Sequence, residues 1–426
     1  MQPIIGIVAD DLTGGMETAA MLVALGVDCG FVTRPALVQH FANSPAVVVA
    51  QKTRVVPAAE AVRKSEDAAQ RLLDIGARRL FFKYCATFDS TDDGNIGPVA
   101  DSLLALTRAT HTGFCPSSGD LARSVFQGHL FVGAQLVSES SKRFDPLTPM
   151  TDSNLVRVLQ RQSKLAVGLL PHNVVRAELA SRRAYLDHLV AQGIRHVILD
   201  AIYAEDLAAV AALTVDWPLM TGNAPIIRHY PALWRERGWL DDAPPKRPLP
   251  AVESPGVVLA GSCAERTLEQ LAAFEQARPV HRIDISAVDS IETTVAAALA
   301  WADKHLGSGP VSIATSADPE QVGAAQAKLG RDGAAAFAEA VLGRLAVELH
   351  RRGVRRFLVA GGETSGTVVE QLGIDRLRVG AYQGPGIARA TTEEADVVAL
   401  SLKSGKLGPV DMFLPTLESM RHPEHS

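Results

Sequence analysis

The chain has 426 residues, 47% hydrophobic and 21% charged, with a formal net charge of −5 and a pI near 6.2. That length suits two domains, or three small ones, better than one core, and the mild acidity argues against a general nucleic-acid binder, which needs clustered Lys and Arg. No stretch approaches the roughly 20 apolar residues of a membrane span, and the four cysteines, Cys29, Cys85, Cys115 and Cys263, lack paired metal spacing and read as reduced thiols of a cytoplasmic protein.

The opening MQPIIGIVADD has no basic leader and is not read as a secretory signal. Residues 4–9 form a short apolar run that ends in Asp10 and Asp11, and a small-residue helical pattern follows from Met16 to Leu25. Strand, acidic Gly-rich loop and helix in that order open many α/β domains. Carboxylates at such a strand end can take a proton from a hydroxyl or hold a metal. They can equally cap the helix behind them, and the residues alone leave both roles open. Residues 46–50, AVVVA, predict a buried strand that delivers Lys52, Thr53 and Arg54 to its end, ahead of a helix from Pro57 to Leu73. A Lys and an Arg two apart suit a carboxylate, the Arg in bidentate fashion. Solvated surface charge is the plainer alternative.

The richest stretch is 83–98, KYCATFDSTDDGNIGP. RLFF at 79–82 predicts a strand before it, and Pro98 suits the first turn of a helix after it. The loop would then lie at the C-terminal edge of a parallel sheet, where open α/β folds bind ligands. Lys83 supplies a cation, Asp89, Asp92 and Asp93 supply anions, and Thr87, Ser90, Thr91 and Asn95 supply hydroxyl and amide groups. Such a set suits a small, hydroxylated, charged molecule, although a surface turn favours the same residue types.

Further strands are expected at 165–169 and 197–200, with helices at 174–190 and 205–213 and a turn, TGNAPII, after Leu219. DDAPPKRPLPAVESPG at 241–256 is Pro-rich, charged and aperiodic, as a semi-rigid linker is. Strands at 257–260, 281–285, 311–314 and 356–359 follow, with helices at 292–305 and 320–350. GGETSG at 361–366 stands between the last strand and a helix expected to begin near Thr367. Backbone N–H groups at a helix start bind phosphate oxygens, and glycine lets them approach. Position 367 lacks the Lys of a P-loop, and GPG at 384–386 does not complete a dinucleotide fingerprint.

ADDLTGG at 9–15, KTR at 52–54, FKYCATFDSTDDGNIGPV at 82–99, QGHLFVGAQLVSES at 127–140 and PLTPMTDSNLVRVL at 146–159 together resemble the four-carbon acid sugar kinase family. The third and fifth segments are most similar to its 3-oxo-tetronate kinase branch, and the resemblance runs over nearly the whole chain. It implies an α/β fold of two three-layer α/β/α domains with mostly parallel sheets and an interdomain active-site cleft. The sugar-acid domain would span 1–242, the linker 243–256 and the nucleotide domain 257–426. The implied reaction transfers phosphate from ATP, with Mg²⁺, to the terminal hydroxyl of a 3-oxo-tetronate (a 3-dehydro-erythronate), giving the 4-phosphate. A threonate or erythronate kinase, or a non-catalytic binding protein on the same fold, are the rival readings.

By the same resemblance Asp10 or Asp11 would deprotonate the acceptor hydroxyl. Arg54 and Lys83 would hold the carboxylate, Asp89, Ser90, Thr91 and Asn95 would recognise hydroxyls and the oxo group, and Thr13 and Lys52 would also be substrate-binding. Ser262, Gly361, Gly362, Glu363, Thr364, Ser365 and Gly405 match positions that hold ATP in the family. No metal ligands are assigned. The implied partners are the sugar acid and ATP, without nucleic acid or membrane, and a homo-oligomer is allowed. Three segments depart from the family pattern: SSGD at 117–120, where only the later Arg123 survives, NAP at 223–225 in place of a glycine-rich turn, and Lys406 in place of an Asn.

Overall fold

Runs such as IGIVA, AVVVA and LFFK show no polar alternation, as strands covered on both faces require. In the computed structural model each is buried along its full length. The structure describes residues 2–145, 147–242, 248–287 and 290–423, and the chain divides into two compact units, Met1–Pro245 and Lys246–Ser426.

The first unit carries strands β1 (Ile5–Ala9), β2 (Cys29–Val32), β3 (Ala46–Ala50), β4 (Leu80–Lys83), β5 (Thr112–Cys115), β6 (Arg123–Phe126), β7 (His129–Val132), β8 (Gln135–Leu136), β9 (Ala166–Leu170), β10 (Ile194–Leu199) and β11 (Leu219–Gly222). Eight of them lie in the order β2-β3-β1-β4-β11-β5-β10-β9, each pair parallel. From β1 the chain winds out to β2 and back through β3, then crosses to β4. The winding therefore reverses between β1 and β4, and loops leaving their C-terminal ends diverge to open a crevice. The helices Ala58–Asp74 and Ile96–Thr107 bury Ala61, Ala68, Leu72, Val99 and Leu103 in this unit's core. Full burial of each large aliphatic side chain contributes about 1.5–3 kcal/mol.

The second unit carries β12 (Gly256–Ala260), β13 (Val280–Arg282), β14 (Val311–Ala314), β15 (Arg356–Ala360), β16 (Arg376–Val379), β17 (Arg389–Thr392) and β18 (Ala399–Lys403). Their order is β13-β14-β12-β15-β18-β17-β16. Pairing is parallel as far as β18 and antiparallel beyond it. Here the winding reverses between β12 and β15.

Several expectations are corrected. Residues 123–136, for which the sequence predicts no strands, form the antiparallel ribbon β6-β7-β8. Its first turn sets Gln127 (φ 49) and Gly128 (φ 71) in the left-handed region, and both N–H groups donate to the Asp200 carboxylate. The helix expected at 174–190 is two, His172–Val175 and Leu179–Ala191. The one expected at 320–350 is also two, Pro319–Leu329 and Arg331–Arg351, broken at Gly330 with φ 73. Of the stretch read as a linker, 243–247 lies outside the described residues, as does Pro146. Residues 248–256 are not a spacer: Leu249 and Val252 are buried, the Val252 N–H donates to the Met420 carbonyl at 2.9 Å, and Arg356 donates twice to the Ser254 carbonyl. Apolar residues between the prolines anchor this stretch to the second unit. Among the described residues no helix is long and apolar enough to cross a membrane.

Candidate active site

At the winding reversal of the first unit, three loops are laced together by backbone bonds. The Asp10 N–H donates to the Lys83 carbonyl at 3.0 Å, and the Thr53 and Arg54 N–H groups donate to the Asp10 carbonyl at 3.0 and 3.2 Å. Side chains complete the knot. Arg54 Nε and Nη2 donate to the two carboxylate oxygens of Asp10 at 2.8 and 2.7 Å, and Nη2 lies 2.7 Å from Asp11 Oδ1. Asp11 caps the helix Leu12–Ala24: its Oδ1 accepts from the Gly14 N–H at 3.1 Å and its Oδ2 from the Thr13 hydroxyl at 2.5 Å. Lys83 is 2% exposed, with Nζ 3.8 Å from Asp11 Oδ1. It lies so close over the helix start that a Cβ at position 14 would stand 2.1 Å from Nζ.

These partners push the two aspartates apart. Burial raises Asp10 above the usual carboxylate range, with the Arg54 charge and fork opposing it and the Asp11 charge adding to it. Burial acts on Asp11 in the same direction, but Arg54, Lys83, the Thr13 hydroxyl and the Gly14 N–H together outweigh it and hold Asp11 down at about 2. Asp11 is thus a fixed charge, and Asp10 is the better proton acceptor.

The loop after β4 is shaped by aromatic packing. Phe88 sits at φ 52, a conformation that costs a bulky residue about 1–3 kcal/mol. Its ring is fully buried with its centroid 5.3 Å from that of Tyr84, which offsets the strain and fixes the next residue, Asp89. The Asp89 carboxylate accepts from the Thr87 hydroxyl at 2.6 Å and pairs with Lys142 at 2.6 Å, while Lys142 also pairs with Asp145 at 2.8 Å. Burial raises Asp89, but Lys142 and Arg54 pull it below the usual range.

Asn95 works as a brace: its Nδ2 donates to the carbonyls of Thr53, Arg54 and Val56 at 2.8, 3.2 and 3.1 Å. Ser90 and Thr91 are tied elsewhere. Gln162 Nε2 donates to Ser90 Oγ and the Thr91 carbonyl at 2.7 and 2.6 Å, and the pair lines a cavity of about 290 Å³ with Asp92, Asp93, Asp152 and Arg161. Lys52 is half-buried in the loop that carries Arg54. The structure therefore brings Asp10, Asp11, Thr13, Arg54, Lys83 and Asp89 together and leaves Ser90 and Thr91 outside that cluster. Lys142 joins it unforeseen, since a lone Lys in a Ser-rich stretch carries no motif.

In the second unit the N–H groups of Gly261 and Ser262, after β12, donate to the Ala360 carbonyl at 3.0 and 3.1 Å. Gly361 leaves β15 at φ 134 and caps the helix Gly362–Gln371, so this helix begins earlier than the expected Thr367. The glycines are its first turn and not a loop before it. The N–H groups of Gly362, Glu363 and Thr364 accordingly fall among those with no intrahelical acceptor. Ser365 is already committed: its N–H and hydroxyl donate to the Gly361 carbonyl at 2.9 and 2.6 Å. Gly405 abuts Ser262 so closely that a Cβ there would stand 1.9 Å from Ser262 Oγ.

A residue the sequence did not flag holds this turn. Lys403, fully buried at the end of β18, donates through Nζ to Gln270 Oε1 at 2.7 Å, to Thr267 Oγ1 at 3.2 Å and to the Gly405 carbonyl at 3.2 Å. Burial, with the nearby Arg266 charge, brings its ammonium down to about 7. Among the described residues no three His, Cys, Asp or Glu side chains group to hold a metal.

Residues 5–230 match the family model of a sugar-binding N-terminal domain, and residues 257–413 that of a nucleotide-binding C-terminal domain. The chain is 43% identical to a 3-oxo-tetronate kinase of Cupriavidus necator and 41% identical to one of Burkholderia multivorans, each match covering 98% of both chains. A solved structure from Salmonella typhimurium LT2, described provisionally as a tRNA synthase, superposes with a TM-score of 0.82 at 35% identity over 96% of this chain and 98% of that one. With both units matched and full-length relatives at this identity, the chain belongs to the four-carbon acid sugar kinase family, alongside its 3-oxo-tetronate kinases.

Proposed function

We propose that the protein is an ATP-dependent kinase that phosphorylates the terminal hydroxyl of a 3-oxo-tetronate, a 3-dehydro-erythronate, to the 4-phosphate. One observation carries the reading: at the winding reversal of the first unit a buried carboxylate of raised pKa, Asp10, stands in an arginine fork. Beside it the nearly buried Lys83 ammonium makes no hydrogen bond among the described residues, its nearest carboxylate oxygen lying 3.8 Å away. That is a base beside a nearly buried cation, as an anionic alcohol substrate requires. The acceptor itself is taken from what the relatives are named for.

In this reading the C4 oxygen attacks the γ-phosphorus of ATP, the bond from phosphorus to the leaving ADP oxygen breaks, and Asp10 takes the hydroxyl proton. Asp11 stays ionised and holds Arg54 and the helix start in place. The first-turn N–H groups of Gly362, Glu363 and Thr364, with Ser262 and Gly405 beside them, cradle the phosphates. Little covalent chemistry falls to the protein, so positioning and charge supply most of the acceleration. Mg²⁺ of this kind is carried chiefly by phosphates and water, with one or two carboxylates, so it needs no three-ligand protein cage; when bound it neutralises charge on the phosphates.

Ser118 Oγ and Asn223 Nδ2, in two of the segments that depart from the family pattern, are buried without hydrogen-bond partners. They favour keeping a different four-carbon acid, threonate or erythronate, as the second reading. A coupled assay of ADP release across 3-oxo-tetronates, threonate and erythronate tests both. The expected result is Mg²⁺-dependent turnover greatest with a 3-oxo-tetronate; the absence of acid-dependent ADP release with every member of the panel overturns the kinase assignment.

A further inference from the structure

The loop that carries Gly405 is held from inside by three side chains, and Lys403 stands at their centre. Its backbone carbonyl accepts from the Gly361 N–H at 2.9 Å, which ties the end of β18 to the residue that caps the helix Gly362–Gln371. Its buried ammonium donates to three neutral oxygens, those of Gln270, Thr267 and the Gly405 carbonyl, and lies 5.7 Å from the ring centroid of Phe413. Burying a cation among neutral dipoles is costly, so its place in the fold calls for a reason.

Thr267 and Gln270 supply one. They stand three residues apart on the helix Glu265–Glu275, a spacing that puts both on one face, and both are fully buried. The Thr267 hydroxyl donates to the Gly405 carbonyl at 2.8 Å, and Gln270 Nε2 donates to the carbonyls of Leu407 and Pro409 at 3.0 and 2.8 Å. Each side chain accepts from Lys403 and donates to the loop, so the three act as one network that draws in the carbonyls of 405, 407 and 409. A loop beside a phosphate site has to keep such oxygens off the anion, because an acceptor turned toward a phosphate oxygen meets like partial charge. This loop meets the site at Gly405, where a Cβ would stand 1.9 Å from Ser262 Oγ.

We propose that Lys403, Thr267 and Gln270 are positioning residues for the nucleotide: by drawing these carbonyls into the interior of the second unit they set the loop 404–409 against Ser262 in the form that admits phosphate. They act through the backbone of the loop and not by touching the nucleotide. The inference rests on the nucleotide-binding reading above and assigns the loop's shape to side chains outside the glycine-rich turn.

The test is the kinetics of the full chain, with ATP and the four-carbon acid varied in turn, beside thermal melts of each variant. Thr267→Val keeps the side chain's shape and loses both its hydrogen bonds; it is expected to raise the ATP KM about tenfold while the acid KM stays within about twofold. Thr267→Ser keeps the hydroxyl and should bring the ATP KM back to within about threefold of wild type. Gln270→Glu keeps an acceptor for Lys403 and removes both donors to the loop, so it too should raise the ATP KM about tenfold. A wild-type ATP KM in Gln270→Glu would mean that Gln270 serves only to satisfy the ammonium, and overturns the assignment. A lowered Tm with an unchanged ATP KM in Thr267→Val, or an equal loss on both substrates, overturns it as well. Lys403→Met should have the largest effect on the ATP KM, about 30-fold; should it fail to fold, the Thr267 and Gln270 variants decide. If the wild type phosphorylates no acid, calorimetric titration with ATP reads the network apart from the kinase assignment. Weaker binding by Thr267→Val than by Thr267→Ser then supports it, equal affinity overturns it, and a wild type that binds no ATP removes the nucleotide reading and this inference with it.

Discussion

Asp10 and Asp11 are chain neighbours with opposite electrostatic fates, and that contrast can be measured. Asn caps a helix about as well as Asp, so Asp11→Asn removes a charge and keeps the cap. Asp11 titrates near 3.8 when unfolded and at about 2 when folded. Its ionised form therefore contributes stability that is present above the unfolded value and is lost as pH falls through about 2, worth roughly 2 kcal/mol. Denaturant melts should show wild type ahead of Asp11→Asn by about that much at pH 5, with the gap closing toward pH 2. The Asp11 charge helps to raise Asp10, so the same variant should move the acid limb of kcat/KM to lower pH while keeping kcat. Asp10→Asn should lower kcat by about a hundredfold or more. Equal losses of kcat in the two variants would reverse the roles. Gly14→Ala probes the neighbouring cation: its Cβ would crowd Lys83 Nζ and Asp11 Oδ1 at 2.1 and 2.5 Å, and about a tenfold rise in the sugar-acid KM with an unchanged ATP KM is expected. The chemistry of this pair was legible in the sequence, but the division of labour was not, because Arg54 and Lys83 arrive from other strands.

At the scale of elements, both candidate sites are built where strands end, and the nucleotide turn is the more tightly specified. Gly405→Ala would place a Cβ 1.9 Å from Ser262 Oγ and 2.7 Å from its Cβ. Overpacking of that kind costs about 1–3 kcal/mol, and here it should appear as a rise of roughly tenfold in the ATP KM with the sugar-acid KM unchanged. Gly307→Ala, where nothing lies within 4 Å, is the control and should alter neither; an effect on both substrates at Gly405 would make it a general folding lesion. The strands of the parallel sheets were readable because burial on both faces leaves unbroken apolar runs. The ribbon β6-β7-β8 was not, since its strands are at most four residues long, largely half-exposed and joined through Gln127 and Gly128 without an Asn-Gly signal. Asn95 was legible as polar and important, yet its work is to hold the loop of Arg54 by three carbonyls, a long-range contact that composition does not reveal.

At the scale of the whole molecule, the strands of the two units repeat one winding: the chain starts at an inner strand, runs two strands out to one side, returns and crosses its first strand, so that reversal falls at β1 and β4 in one and at β12 and β15 in the other. Each unit also has its own apolar core, one including Val8, Val49, Phe82 and Leu103, the other Val258, Leu271, Leu358 and Phe413. Every bond described for the sugar-acid cluster lies within residues 10–145, and every bond described for the nucleotide turn within 261–409. Each half should therefore fold and bind alone. A ligand at 100 times its Kd stabilises the state that holds it by about 2.7 kcal/mol. With residues 1–242 and 248–426 expressed separately, 3-oxo-tetronate should raise the Tm of the first alone and ATP that of the second alone, while neither half releases ADP in response to the acid. Phosphoryl transfer needs acceptor and donor on one assembly, so loss of turnover with both bindings intact is the expected pattern. A first half that melts without cooperativity, or that ignores the acid while the intact chain binds it, would mean that the sugar-acid site depends on residues beyond 242 and would end the case for two self-contained units.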